Sequence, residues 1–584
     1  MCKKVTLKEK KMAEILKKVD VLTVGAGWTG GIVAAECTKA GLNVLSLERG
    51  EMKTVDNFSQ IHDEWRYGIN YGLMQDTSKE TVTFRHNASQ RALPMRKMGS
   101  FLLGDNVGGS GNHWNGWTFR FLPYDFEIKT KSNARYGNKL GKDYTLEDWG
   151  ITYAEMEPYY DKFEKTAGVS GEPNPLEKEL GVFRSSPYPQ PPMLNTPLLK
   201  KFESTAKKLG MHPYRLPSSD SSGSYENPDG QTLAPCQYCS FCERFACEFS
   251  AKAMPINTVI PTAMATGKYQ IRTRAQVVEI LKQGDKVTGV RFIDTKTMKE
   301  YIQPADIVVL TSYMFNNAKL LMVSKIGTQY DPKTGKGSLG RNYCYQMNSA
   351  TLAFFDEQYN TFAGAGALGT TFDDFQGDNF DHSKEDFLHG AMIAVMQMGS
   401  RPIQTAPVPK GTPSWGAEFK KAMNHSFTRV MSVYAQGASL PFAGNYLDLD
   451  PTYKDAFGMP LLRLTYNFTD QDRALQKFFV DKTELVAKNI DGVKNVSKGA
   501  YIKDYSIIPY QSTHNTGGTT MGSNPSTSVV NNYLQHWDAD NLFVVGAGNF
   551  QNNSGYNPTD TAGALAYRCS EGIIKYSKSG KSLV

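Results

Sequence analysis

The sequence predicts a mixed α/β (α+β) fold, with a parallel, helix-flanked body and a second domain built on an antiparallel sheet. Three observations carry this. An apolar run at residues 19–24 leads directly into a glycine-rich turn and a helix-like stretch. Short apolar strands recur at 305–310 and 541–546, so both ends and the middle of the chain supply the parallel body. Between them, residues 445–450 and 461–466 alternate apolar and polar, as strands of an antiparallel sheet do.

The N-terminal elements follow one another closely. Residues 19–24 are β-branched and apolar and read as a buried parallel strand. Gly25, Gly27 and Gly30 form a GxGxxG turn before a helix over 32–39, which Gly41 closes. A second strand, 42–47, ends at Glu48. Strand, glycine turn, helix, strand and acid in this order form a Rossmann-like fingerprint. Gly25 permits the turn, Gly27 lets the backbone approach a pyrophosphate, and Gly30 allows the helix to pack on the strand. The helix N-terminus offers N–H groups to phosphates, and Glu48 accepts from a ribose hydroxyl. Further on, 269–294 reads as strands joined by a polar turn at 283–285, and a helix over 316–327 follows the strand at 305–310. After the strand at 541–546, Pro558 begins a helix of small residues, with Thr559 beside it.

Composition narrows the function. The 584 residues suffice for two or three domains, and 40% hydrophobic with 21% charged residues is globular. The net charge of +7 is small for this length, and no basic block interleaved with aromatics argues for nucleic acid. The Lys-rich first 18 residues read as a solvated tail, with Met12 an alternative start. No secretory signal pattern and no apolar run of about 18 residues appear, which on its own indicates a cytoplasmic protein.

The fingerprint, the stretch VGGSGNHWNG, the late His514 and the closing strand–NPT–helix together resemble the glucose–methanol–choline (GMC) flavoprotein oxidoreductases. Scattered stretches extend the resemblance nearly end to end, among them ETVTFRHN, FDDFQGDNFDH, PKGTPSWG and NYLDLDPTYKDAFGMPLLR. Within the family it is nearest to flavoprotein subunits of membrane-associated sugar-acid dehydrogenases. The resemblance implies a discontinuous FAD domain over 12–130, 236–340 and 500–584, and a substrate-binding domain over 131–235 and 341–499. It implies oxidation of a secondary alcohol of a sugar or sugar acid, D-gluconate to 2-keto-D-gluconate first. Electrons then pass to a multihaem cytochrome c subunit. A small subunit carrying the export signal would explain a periplasmic, membrane-associated enzyme without its own signal. Two rivals stand beside this: a pyranose-oxidase-like C2/C3 sugar oxidoreductase using oxygen, and a flavin-binding electron relay with no substrate.

Alcohol oxidation needs a base for the hydroxyl proton and a second group to hold the oxygen. The resemblance gives the base role to His514 and the partner role to Asn557, where many family members carry His. The glycine-rich loop with Gly108, Gly109 and Asn115 would lie against the flavin. His113-Trp114 matches the pair that carries covalent flavin in the pyranose oxidases, so His113 is a candidate attachment point. Arg49, Val277, Gly548, Pro558 and Thr559 complete the expected cofactor contacts. His86 could line the site, while His425 and His536 read as surface or core residues. Arg85 and Arg120 are candidates to pair with a substrate carboxylate. No His pair has mononuclear metal spacing.

The stretch PCQYCSFCERFACEFSAKA holds Cys236, Cys239, Cys242 and Cys247, four of the chain's eight cysteines. The spacing lacks the long spacer of a zinc knuckle pair, and disulfides this close would be strained. C-x2-C-x2-C approaches ferredoxin spacing, with a final gap of four and no following Pro. Zinc, disulfide, free thiols and an iron–sulfur cluster all remain open from spacing. The resemblance favours a three-iron [3Fe-4S] cluster.

Overall fold

The computed structural model describes residues 13–58, 72–97, 99, 101–399 and 407–583. Residue 12, where the first domain is expected to begin, and most of the Lys-rich tail lie outside them.

The parallel sheet runs Ala539–Val544, Glu300–Leu310, Val19–Val24, Val44–Leu47, Tyr269–Arg272, each neighbouring pair parallel. Four distant parts of the chain therefore meet in one sheet. The strand expected at 305–310 starts earlier, at Glu300. Its first half pairs antiparallel with Lys286–Asp294, which in turn pairs with Ala275–Gln283. One strand thus serves a parallel sheet at one end and a meander at the other.

The first helix spans Trp28–Lys39, four residues earlier than the sequence suggests. Propensity disfavours helix through Trp-Thr-Gly-Gly. Tertiary packing overrides it, because the helix is buried against Val259–Ala265 and Thr559–Ser579. A Cβ on Gly31 would meet Val259 Cγ2 at 2.6 Å, so the small residue sets the close approach. Thr559–Ser579 also packs on Tyr153–Ala167 and has Pro558 as its N-cap, whose carbonyl accepts from Ala562 N at 2.9 Å.

The second sheet is wholly antiparallel, in the order Val493–Ser497, Met347–Phe355, Val430–Gly437, Ala391–Met396, Gly369–Phe372, Tyr214–Arg215. The helix Asp470–Lys488, opened by a Thr469–Asp472 capping box, covers it. The expected strands near 445 and 461 are Tyr446–Lys454 and Pro460–Thr465, and they pair antiparallel. Pro460–Thr465 then pairs parallel with Val82–Arg85, so this small sheet is mixed. Strands from the N-terminal third and from the later chain are joined there.

Candidate active site

A cavity of about 360 Å³ opens where the C-terminal ends of the parallel strands meet the antiparallel sheet. At one side lies the glycine turn. Gly25 has φ +103°, and a Cβ there would meet Thr311 O at 2.7 Å. Gly30 packs against Gly25 and Thr311, where a Cβ would meet Thr311 Oγ1 at 2.9 Å. Gly27 differs: the nearest protein atom to its added Cβ is Gly108 O at 3.7 Å. The protein needs no glycine at 27; a group lying against the helix N-terminus does. That N-terminus has no side-chain cap, so its N–H groups face the cavity.

Glu48 lies at the end of the next strand, buried, and accepts from Ala26 N at 3.0 Å and Gly50 N at 2.9 Å. Burial pushes its carboxyl up, against those two N–H groups. Beside it Arg49 pairs with Glu80, and Lys319 donates to Glu80 at 3.0 Å and Asp455 at 2.7 Å. Burial works to raise Glu80, yet Lys319 and Arg49 hold it down at about 2. A glycine cradle, an uncapped helix end and a carboxylate at the strand end suit a dinucleotide such as FAD.

The loop Gly109–Asn112 follows Gly108, whose φ of +96° and N–H bond to Ala26 O (2.8 Å) tie it to the turn. His113 lines the cavity and points Nε2 at Leu102 O, 2.8 Å away. A carbonyl accepts, so Nε2 carries the proton and Nδ1 is a bare lone pair without a partner. Burial lowers this histidine to about 4, so it is neutral at ordinary pH.

His514 and Asn557 come together across the cavity. Asn557 Nδ2 lies 3.2 Å from His514 Nε2. Gln346 settles the tautomer. Its Nε2 donates to Ser554 O at 2.6 Å and Tyr556 O at 3.0 Å, so its Oε1 must be the atom facing His514 Nδ1. Nδ1 therefore holds the proton and Nε2 the lone pair. Gln436 Nε2 donates to Asn557 Oδ1 at 2.8 Å, which leaves the Asn557 amide as donor toward the histidine. Tyr556 stacks on Phe119 with centroids 4.7 Å apart, and its hydroxyl bonds Asp373 at 2.8 Å, steadying this corner. Burial lowers His514 to about 3, opposed by the negative charge of Glu243. The site thus holds a neutral imidazole whose Nε2 is ready to take a proton, next to an amide N–H.

Of the residues expected from sequence, the cavity gathers Gly25, Gly27, Glu48, Arg49, Gly109 and His113, and with them Asn115, Val277, His514, Asn557, Pro558 and Thr559. Gly30, Gly108 and Gly548 lie behind its wall as packing glycines. His86 does not line it; its ring bonds Tyr505 O at 2.7 Å. His425 is exposed and His536 buried. Arg85 is spent on Thr465 and Tyr446, and buried Arg120 on Glu164 and Glu157, so neither reaches a substrate carboxylate. Sequence reasoning missed Gln346, Gln436 and Glu243. The only signal was the pair of acids, Glu243 and Glu248, inside the cysteine stretch.

The cysteine stretch packs behind the Gly109–Asn112 loop, against His113 and Trp114. Cys239 bridges to Gly364, and left-handed backbone at Tyr238, Ser240, Arg244 and Ser250 coils the segment. Buried Lys252 clips it in place, donating to Trp114 O at 2.5 Å, Cys242 O at 2.8 Å and Phe245 O at 2.9 Å. Burial first, then Asp220 and neighbouring thiols, push Cys236 and Cys242 up, so both are thiols. All four cysteines are free, against the disulfide alternative. Among the described residues, no three His, Cys, Asp or Glu side chains are arranged to hold a metal ion. The segment as folded does not present a finished ligand set.

Fold and site define a flavoprotein oxidoreductase, and sequence comparison agrees: the GMC oxidoreductase family matches residues 143–348 and 441–566. The chain belongs to that family, and is an FAD-dependent oxidoreductase acting on CH–OH groups. It is 40% identical to a gluconate 2-dehydrogenase flavoprotein of Pantoea cypripedii, covering 98% of this chain and 96% of that one. A 2-methyl-1,2-propanediol dehydrogenase of Mycolicibacterium austroafricanum is 28% identical over 96% of this chain and 95% of its own. The fructose dehydrogenase large subunit of Gluconobacter japonicus is 23% identical, covering 96% and 98%. The crystal structure of pyridoxine 4-oxidase from "Mesorbium loti" shares the fold, with TM-score 0.61 at 16% identity over 95% of this chain and 99% of that one.

Proposed function

We propose that this protein is an FAD-dependent dehydrogenase that oxidises a secondary alcohol of a sugar acid or sugar, with D-gluconate to 2-keto-D-gluconate as its reaction. The observation that carries the chemistry is the His514–Asn557 pair, with an unprotonated Nε2 beside an amide donor in the cavity. The 40% identity to a gluconate 2-dehydrogenase flavoprotein over nearly the whole chain supports the substrate. Glu48, Gly27 and the first turn of Trp28–Lys39 would hold the ribose and pyrophosphate of FAD, and the loop around His113 its ring. FAD, when bound, accepts the hydride leaving the carbinol carbon. His514 Nε2 takes the hydroxyl proton, and Asn557 Nδ2 donates to the same oxygen as charge develops. The alcohol thus loses one proton and one hydride and becomes the ketone.

In this reading, 12–130, 236–340 and 500–584 form the cofactor domain, and 131–235 with 341–499 the substrate domain. The enzyme works in the periplasm, exported with a small signal-bearing subunit and held at the membrane by a multihaem cytochrome c subunit. No described helix is long and apolar enough to cross a membrane, which suits attachment through partners. The cysteines at 236, 239, 242 and 247 are the place for an iron–sulfur cluster, supported by four cysteines falling within one short stretch of sequence; the segment as folded holds no finished ligand set, and the reaction above takes no step through it. Iron and acid-labile sulfide assays on anaerobically purified protein test this, and zero iron with intact flavin refutes it. Covalent flavin at His113 predicts yellow colour retained in the acid-precipitated pellet.

The deciding experiment is anaerobic: D-gluconate should bleach the flavin, and His514→Ala should slow bleaching by about 100-fold or more. If no sugar or sugar acid bleaches it, the dehydrogenase reading fails. Hydrogen peroxide formation in air would favour the oxygen-using alternative.

A further inference from the structure

Asn557 is carried by a turn, residues 554–557, and side chains of the antiparallel domain hold that turn. Gln346 Nε2 donates to Ser554 O at 2.6 Å and Tyr556 O at 3.0 Å. Gln436 Nε2 donates to Gly555 O at 3.2 Å and Asn557 Oδ1 at 2.8 Å. A Cβ on Gly555 would meet Gln376 Oε1 at 2.5 Å, so the segment after strand Gly369–Phe372 lies directly against the turn. These partners are neutral amides. A further one on the same segment is ionisable: the Tyr556 hydroxyl donates to Asp373 Oδ2 at 2.8 Å.

Asp373 is fully buried, and its Oδ2 takes three donors. Beside Tyr556 these are Asn174 Nδ2 at 2.7 Å and the Tyr214 hydroxyl. Its Oδ1 has no partner among the described residues, so a proton can add there without displacing a donor. Burial raises this carboxyl first; the three donors oppose the rise, neighbouring Asp374 adds to it, and the balance stands at about 6. The other titratable groups of the cluster are Tyr188, which acts on Tyr214, Asp125, which acts on Tyr556, and His212, which lies 2.7 Å from Asp374. His514, lowered by burial to about 3, does not titrate in the same range.

We propose that Asp373 is a positioning residue for the oxidation: through the Tyr556 hydroxyl its carboxylate fixes the turn that sets Asn557 Nδ2 beside His514 Nε2, and its protonation loosens that turn. This rests on the His514–Asn557 pair being the site of alcohol oxidation. A hydrogen bond to an ionised acceptor is about twice as strong as one between neutral groups. Neutral Asp373 keeps its bond to Tyr556 but weakens it, so the turn loosens without unfolding. Asn557 then meets the substrate oxygen less well in the step where charge develops, which costs rate rather than binding. Because the carboxyl is raised, the grip is present above about pH 6 and is lost as pH falls through that value.

Stopped-flow anaerobic flavin reduction of the flavin-loaded protein by D-gluconate, repeated across pH, gives the limiting rate and the apparent Kd separately. In wild type the limiting rate should fall about fivefold as pH drops through about 6, while the apparent Kd changes by less than about twofold. Asp373→Asn should show the low rate at every pH, with no acid limb. Its flavin content should be unchanged, because Asp373 does not line the cavity. Tyr556→Phe keeps the ring that stacks on Phe119 and loses only the hydroxyl, so it asks the same question should Asp373→Asn not fold; it too should be slow and flat. Tyr214→Phe removes a donor that keeps Asp373 ionised, so its acid limb should move to higher pH. A merely structural role would slow the variants and leave the limb in place. A limb near pH 6 that persists in Asp373→Asn or Tyr556→Phe overturns the proposal, as does a flat wild-type profile. If wild type is not reduced, or His514→Ala is as fast as wild type, the reading of the site falls and this proposal with it. If His514→Ala is slow and Asp373→Asn keeps the wild-type profile, only the role of Asp373 falls.

Discussion

Gln346 decides which nitrogen of His514 is the base, so replacing it tests the mechanism without touching the reacting groups. Gln346→Met keeps the length and shape of the side chain and removes its amide. Three hydrogen bonds disappear: those to His514 Nδ1, Ser554 O and Tyr556 O. At about 1 kcal/mol net for each, the fold loses about 3 kcal/mol of stability. Only the bond to His514 bears on the reaction. Without it the imidazole is free to place its proton on Nε2 or to turn the ring. An advantage of about 1.4 kcal/mol for the productive tautomer corresponds to about tenfold in rate. The limiting rate of anaerobic flavin reduction should therefore fall about tenfold, well short of the loss in His514→Ala. Flavin content should be unchanged, because Gln346 does not line the cavity. Stopped-flow reduction reads the step directly, apart from onward electron transfer. A limiting rate within twofold of wild type in folded, flavin-loaded Gln346→Met would show that this bond does not set the tautomer.

Two further outcomes follow from the cofactor side. Gly27→Ala should fold normally yet lose flavin, since its new methyl meets no protein atom closer than 3.7 Å, whereas Gly25→Ala should fold poorly, with φ +103° and a contact at 2.7 Å to Thr311 O; absorbance of purified protein and thermal melts separate the two. Acid should weaken the protein through Glu80. Its folded-state pKa of about 2 lies below the ordinary 4.5, so its contribution is present above about 4.5 and lost as pH falls toward 2. Glu80→Gln should flatten stability across that window, and a wild-type-like acid profile would refute the assignment.

Much of the cofactor half was legible in the chain, because its chemistry is local. A buried strand, three spaced glycines and an acid lie within 30 consecutive residues, and each has one physical job that the neighbouring residues reveal. Even so, the helix began at Trp28 rather than 32, since packing on Val259–Ala265 outweighs the poor propensity of Gly30 and Gly31. His514 and Asn557 were found by resemblance, not by pattern; nothing in the alternation of residues near 514 marks a base.

What the sequence by itself determined is the nucleotide-binding turn, the strands on either side of it, and the acid and imidazole types available for chemistry. Tertiary structure alone decided which groups act together. Gln346, just before the strand Met347–Phe355, and Gln436, on the neighbouring strand of the antiparallel sheet, are distant in the chain from the catalytic pair; Gln346 becomes the partner of His514 and Gln436 that of Asn557 only when that sheet meets the parallel one. Glu243 faces the cavity while its cysteine neighbours face away, because Lys252 and His113 hold the backbone on either side of it. Arg120, a plausible substrate ligand in sequence, is consumed by Glu164 and Glu157. The physical reason is common to all of these. A side chain's partner in a buried site is set by long-range pairing and by the need to satisfy every buried polar atom, and neither is written in local spacing.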